Sequence, residues 1–291
     1  MNGTSFQSDI RYWLRQGNTV NHLLFWNIIV FLALNILRLV DIISNTGIYT
    51  LVYNQVALHA SPSVFITKPW GLLTYMFAHV GILHILFNML NLFWFGNIFR
   101  EMLGNQRVLP VYLLGGIAGG LIYMGSYYLF VPAPDALMIG ASASVMCLLV
   151  AAATQVPNYE IGLMFIGAIK LKWLALALVI IGVITMFDGN FGGVMSHLGG
   201  AALGFAYIKL LQNGTDLARP LIWLFSPAQR SSVKPAVKKF KPKKSPLKVV
   251  KKADENPQSR LDQLLDKINE KGYNSLSAEE KAWLEKMSKE K

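Results

Sequence analysis

Ser142 lies inside the small-residue run Gly140-Ala141-Ser142-Ala143-Ser144, and His197 near the start of Ser196-His197-Leu198-Gly199-Gly200-Ala201-Ala202-Leu203-Gly204. Both stretches are strongly apolar. A polar or ionisable residue is costly in such a setting and marks a functional site by default. A serine hydroxyl is a weak nucleophile until a base takes its proton, and an imidazole that titrates near neutrality suits that task. Two further polar residues, His84 and Asn88, interrupt the apolar run Gly81-Ile82-Leu83-His84-Ile85-Leu86-Phe87-Asn88-Met89. Four residues apart on a helix, they share one face. The set holds a nucleophile, a base and two hydrogen-bond donors for an oxyanion, which is the equipment of acyl transfer by a serine hydrolase. Each part has a structural reading too: Gly-Ala-Ser-Ala is a common helix-packing sequence, and His84 and Asn88 can bridge helices by hydrogen bonds.

The elements that must position these groups follow from composition. The chain has 53% hydrophobic and only 15% charged residues, with mean hydropathy +0.40. Its apolar runs reach the roughly 20 residues needed to cross about 30 Å of hydrocarbon. The predicted class is an all-α polytopic membrane protein with six spans, near 22–44, 81–99, 107–130, 139–156, 171–187 and 191–212, the fourth and fifth being short. Residues 1–21 are polar and carry Asp9, Arg11 and Arg15, and no small-residue cleavage site follows the first apolar run, which therefore reads as an uncleaved anchor. The single cysteine, Cys147, lies in an apolar segment and suits packing more than reaction. No His-Glu-x-x-His pair and no clustered intramembrane carboxylates occur, so no metal and no cofactor is expected.

Charge sets the orientation, because Lys and Arg accumulate on the cytoplasmic side. Arg11 and Arg15, Arg100 and Arg107, and Lys170 and Lys172 all fall inside if the N-terminus is inside, whereas the loops near 131–138 and 188–190 carry only Asp135 and Asp188. Arg38 near the outer end of the first span must then snorkel or pair with Asp41. The long outer loop over residues 45–70 alternates apolar and polar residues through Ile48-Tyr49-Thr50-Leu51-Val52-Tyr53, continues past Pro62 and Pro69 to Trp70, and suits the headgroup region.

With this topology the second, fourth and sixth spans all run from outside to inside. Ser142 falls just past the start of the fourth span, and His197 about six residues into the sixth, roughly 9 Å down at 1.5 Å per residue. His84 and Asn88 reach about 5 and 10 Å by the same rise. All four therefore gather at one level near the outer face. Gly200 and Gly204 let a neighbouring helix approach closely, and the run from Gly140 to Ser144 offers it a matching small surface. Ser142 is the expected nucleophile and His197 the base. His84 and Asn88, with the backbone N–H of Ser142, would stabilise the oxyanion.

Gly140-Ala141-Ser142-Ala143, His197 followed by Gly200 and Gly204, and His84 with Asn88 after Phe77-Ala78-His79 together resemble the rhomboid intramembrane serine proteases. The resemblance covers about residues 65–212. It implies a six-helix core opening to water from the outer side and a Ser-His dyad with no third, acidic member. It also implies transmembrane substrates cut near the outer face, where helix-destabilising residues unwind. Three positions depart from the family pattern: Ala143 stands where glycine usually follows the nucleophile, Met146 replaces a tyrosine that stacks on the catalytic imidazole, and Trp70-Gly71 replaces a Trp-Arg loop motif.

Beyond the last span the character changes. Residues 213–257 form a linker expected to be disordered, in which Arg230 to Lys252 hold ten Lys or Arg residues and no acid. Most of the net charge of +11 lies in this tail, so the expected partner is an anionic lipid surface rather than nucleic acid. Residues 258–291 read as a cytoplasmic helical hairpin similar to a short extension on some rhomboids of the Bacteroidetes type. Leu261, Leu264, Leu265 and Ile268 give one apolar face, Gly272 ends the first helix, and Ser277 with Glu280 starts the second, which carries Trp283, Leu284 and Met287. The expected function is endoproteolysis of single-span membrane proteins in a bacterial inner membrane, with both termini cytoplasmic. The alternatives are a rhomboid-like pseudoenzyme that binds membrane proteins without cutting them, and a transporter, which would usually show internal repeats.

Overall fold

The structure, a computed structural model, describes residues 6–15, 17–131, 136–163, 167–184, 190–225 and 257–289. It divides into two compact units, Met1–Lys238 and Lys239–Lys291. Asp135, Asp188 and the basic run from Arg230 to Lys252 lie outside the described residues.

The first unit begins with α1 (Phe6–Arg15), in a stretch whose polarity argued for no element. The average hides a pattern: Ile10, Trp13 and Leu14 recur at helical spacing while Arg11, Tyr12 and Arg15 stay exposed. The apolar helix α2 (Thr19–Ser44) follows, capped by the Asn18 side chain, which accepts from Val20 N–H. Its Ile28, Leu32, Ile36, Leu39 and Ile43 form an exposed apolar stripe. Such a stripe on a helix of this length is what lipid solvates.

The 45–70 loop proves to be largely ordered. It holds α3 (Ile48–Val56), the two-residue strand β1 (Leu58–His59) and α4 (Pro62–Thr67), followed by α5 (Gly71–Thr74). The alternation read there is not that of a strand. The last carbonyls of α3, which no helix can satisfy internally, are taken up by side chains. His59 Nε2 meets Asn54 O at 2.9 Å, Trp70 Nε1 donates to Gln55 O at 2.9 Å and Thr74 Oγ1 to Val56 O at 2.8 Å. Gly71 sits where an added Cβ would come within 2.9 Å of Ala57 O. That close approach is a physical reason for glycine beside Trp70. Asp41 does not pair with Arg38: its Oδ1 accepts from Thr46 Oγ1 and Ile48 N–H and closes the turn out of α2.

The remaining elements are α6 (Ile82–Leu103), α7 (Val108–Phe130), β2 (Leu137–Met138), α8 (Ser142–Gln155), a β3–β4 hairpin (Glu160–Leu163 and Gly167–Lys170), α9 (Leu171–Ile184), α10 (Phe191–Gln212) and α11 (Arg219–Phe225). The four stretches Thr19–Ser44, Ile82–Leu103, Asn105–Phe130 and Phe191–Gln212 are long and apolar enough to cross a membrane. This is a mostly helical, multi-pass membrane protein. Helices α8 and α9 have 14 residues each, about 21 Å at 1.5 Å per residue. Helix α8 is apolar all round because α6, α7, α9 and α10 surround it.

Arg107, expected to serve only as an inside charge, is buried, and its Nη2 lies 2.9 Å from Asp216 Oδ2. Tyr207 OH and Ala218 N–H donate to the other carboxylate oxygen. This cluster fastens the start of α7 to the chain leaving α10.

The second unit holds α12 (Pro257–Lys271) and α13 (Ala278–Lys289), joined by the ion pair of Lys267 with Glu280 at 2.8 Å. Gly272 ends α12 with φ +78°, a conformation that favours glycine. The capping box is reciprocal: Ser277 N–H donates to Glu280 Oε2 at 2.7 Å and Glu280 N–H to Ser277 Oγ at 3.2 Å. Leu264 is buried, but Leu265 is 51% exposed, so the apolar face is narrower than expected.

Candidate active site

Ser142 is the first residue of α8, with Ala141 as the N-cap. The chain reaches it from β2, which pairs with β1 through Leu58–Met138 and His59–Leu137. Gly140 then turns at φ +126°. Its N–H donates to Tyr75 O at 2.8 Å, and the Ala141 N–H donates to His79 Nε2 at 3.2 Å. Strand β1 and the segment Tyr75–His79 ahead of α6 therefore hold the serine's approach in place. As a first-turn residue, Ser142 has a backbone N–H without an intrahelical partner, at the positive end of the helix dipole.

His197 lies in the second turn of α10, and its Nε2 is 2.7 Å from Ser142 Oγ. That is hydrogen-bond distance for a nucleophile and its base. Its Nδ1 meets no hydrogen-bond partner among the described residues. The proximity depends on missing side chains. A Cβ at Gly200 would collide with Ala143 O, and one at Gly204 with Cys147 O, so α10 rides directly on the backbone of α8. Small residues at four-residue spacing allow this contact.

The small surface opposite Gly200 is Ala143, not Gly140, which lies ahead of α8. An added Cβ at Gly140 would stand 2.7 Å from His84 Cε1. Gly140 thus makes room for an imidazole, a task set by its conformation that helix spacing could not disclose. The departure at Ala143 also finds its place: its methyl is buried, and a Cβ at Gly119 of α7 would be 2.5 Å from it. The extra methyl is accommodated by glycine across the helix interface. The glycines of α7 form the other half of this seam, with Gly116 against Ser144 and Gly199 of α10 against Gly119. The repeat Gly115-Gly116-Ile117-Ala118-Gly119-Gly120 carried that signal, but it holds no ionisable group to draw attention.

His84 and Asn88 stand one turn apart on α6, and Asn88 Nδ2 donates to His84 O at 2.8 Å, leaving its second N–H free. With Ser142, His197, Gly140 and Met146 they line one cavity of about 600 Å³. All four predicted chemical residues are thus brought to one place. Sequence reasoning passed over His79 except as part of a motif. It is fully buried, accepts from Ala141 N–H, and meets the His84 ring edge-on at 5.0 Å. An acceptor Nε2 places the imidazole proton on Nδ1.

Comparison with known proteins gives the family. Residues 67–213 match the Rhomboid domain family, and the chain belongs to the rhomboid family. Its members are generally intramembrane serine proteases, although inactive rhomboid-like members occur. The chain is 32% identical over 140 residues to presenilin-associated rhomboid-like protein A, mitochondrial, of Danio rerio, covering 45% of this chain and 35% of that protein. It is 35% identical over 118 residues to rhomboid protease GluP of Bacillus subtilis (strain 168), covering 40% and 22% respectively. RHOMBOID-like protein 2 of Arabidopsis thaliana is 30% identical over 160 residues, covering 52% and 46%. The chain therefore spans between 22% and 46% of the length of these curated relatives. Residues 250–290 match a family of unknown function, DUF6576.

Proposed function

We propose that this protein is an intramembrane serine endopeptidase that cuts single-span membrane proteins with Ser142 and His197. The observation that carries the reading is the 2.7 Å contact between Ser142 Oγ and His197 Nε2 inside a cavity that His84 and Asn88 also line. His197 Nε2 takes the hydroxyl proton as Oγ bonds to the scissile carbonyl carbon, and the carbonyl electron pair moves to oxygen. Ser142 N–H, the free N–H of Asn88 and the His84 imidazole stabilise that oxyanion. Its collapse breaks the C–N bond, and the leaving amine takes the proton from His197. Water then attacks the acyl-serine, again giving a proton to His197, and as the ester bond breaks His197 returns that proton to Ser142 Oγ.

Helices α8 and α9 complete a six-span core, the basic groups Arg11, Arg15, Arg100, Lys170 and Lys172 favour cytoplasmic termini, and the resemblance to bacterial rhomboids favours an inner membrane. Cleavage then falls near the outer face, and the basic linker meets anionic lipid on the inner one. The pseudoenzyme reading drew its support from Ala143, whose methyl packs against α7 rather than lining the cavity. Co-expression with a single-span reporter tests the proposal. Wild type should release a fragment, and Ser142→Ala should accumulate in the membrane without doing so. Continued cleavage by Ser142→Ala removes the serine from the mechanism.

A further inference from the structure

A second cavity, of about 840 Å³, lies between α6, α9, the β3–β4 hairpin and the start of the chain. Phe87, Asn91 and Leu178 line both it and the catalytic cavity, so the two adjoin. Along α6 the stripe Asn88, Asn91, Trp94, Ile98, Glu101 follows helical spacing. It runs about 20 Å from the oxyanion residue to the far end.

The far end of this cavity is lined by two carboxylates. Four carboxylates occur among the described residues of 17–225: Asp41, Glu101, Glu160 and Asp216. Asp41 closes the turn after α2 and Asp216 holds Arg107. The other two, Glu101 and Glu160, both line this second cavity, and no Lys or Arg does. Arg100 reaches Glu101 only at 3.8 Å, and Lys170 stands opposite Glu160 in the strand pair. Between the acids and the catalytic cavity the lining offers the side-chain amides of Asn91 and Asn97 beside aromatic and aliphatic groups.

We infer that Glu101 and Glu160 form a recognition subsite for a Lys or Arg at the inner end of the substrate's transmembrane helix. The subsite selects single-span proteins whose basic flank lies about three to four turns beyond the level of Asn88. The inference rests on the protease reading and on charge complementarity, since the inner flank of a spanning helix is the one enriched in Lys and Arg. Asn91 and Asn97 extend the preference to helices with a polar residue on the facing side.

The test uses the full chain in proteoliposomes and two single-span reporters identical through the cleavage region. One carries two Lys at the inner flank and the other two Gln, with orientation checked by protease protection. Wild type should cut the Lys reporter about fivefold faster, as expected for exposed charge pairs. Glu101→Gln with Glu160→Gln should bring the ratio close to one. A ratio near one in wild type, or an undiminished ratio in the double variant, overturns the subsite. The same reporters are cross-linked to Ser142→Ala carrying a photoreactive residue in place of Leu178. Stronger capture of the Lys reporter, lost with the two Gln substitutions, supports the subsite even if wild type cuts nothing, the result that defeats the protease reading alone. Equal capture of both reporters overturns the subsite whatever the cleavage result.

Discussion

Among the individual residues, Asn88 and Ala143 separate chemistry from packing. Asn88 is buried, with one side-chain N–H committed to His84 O and one left for the oxyanion. Asn88→Ala should lower kcat by about 10²- to 10³-fold, the typical loss for one oxyanion donor. A steady-state assay on a reporter peptide checks this, and an unchanged kcat removes Asn88 from the oxyanion site. Ala143 makes the opposite case. Its methyl meets α7 and not the cavity, so Ala143→Gly should leave kcat close to wild type. It should cost about 1 kcal/mol in stability, the loss of one buried methyl, read as a lowered Tm. The chemical residues were legible in the sequence because polar groups stand out in apolar runs. Gly140 and His79 were not: one acts through a backbone angle and the other through a hydrogen bond to Ala141 N–H, and neither leaves a periodic pattern.

At the scale of elements, the dyad is a consequence of how closely α7, α8 and α10 approach. Gly200→Val would drive a side chain into Ala143 O and part α8 from α10. Activity should be lost while the protein remains in the membrane; retained cleavage would mean that the seam does not set the dyad. The four helices long and apolar enough to cross a membrane were readable from hydropathy, whereas α3, α4 and the β3–β4 hairpin were not. The end of α3 is fastened by side chains outside it, such as Trp70 on Gln55 O and Thr74 on Val56 O. The hairpin of α12 and α13 was readable because its capping box is local. Ser277→Ala should cost that hairpin about 1 kcal/mol, seen as reduced helicity by circular dichroism. Glu280 is held below its ordinary value of 4.5, chiefly by the hydrogen bond from Lys267. A depressed carboxylate stabilises the fold above its unfolded pKa and loses that contribution as the pH falls through the folded value. Helicity of the hairpin should therefore drop as the pH falls below 4.5, and Glu280→Gln should flatten that dependence.

Across the whole molecule, a buried ion pair ties the start of α7 to the chain leaving α10. Removing one partner of a buried pair strands the other charge, at a cost of about 3 to 5 kcal/mol. Arg107→Ala should accordingly lower Tm sharply, and the paired change Arg107→Met with Asp216→Leu should recover most of the loss. Arg107 was legible only as a topological charge, since its partner lies 109 residues away. The fold brings Ser142 at the head of α8 against His197 on α10 in one cavity. The most direct test is labelling of the purified, detergent-solubilised protein with a fluorophosphonate probe. The account predicts labelling of wild type and none of Ser142→Ala or His197→Ala. An unlabelled but well-folded wild type, or label retained by Ser142→Ala, would contradict it.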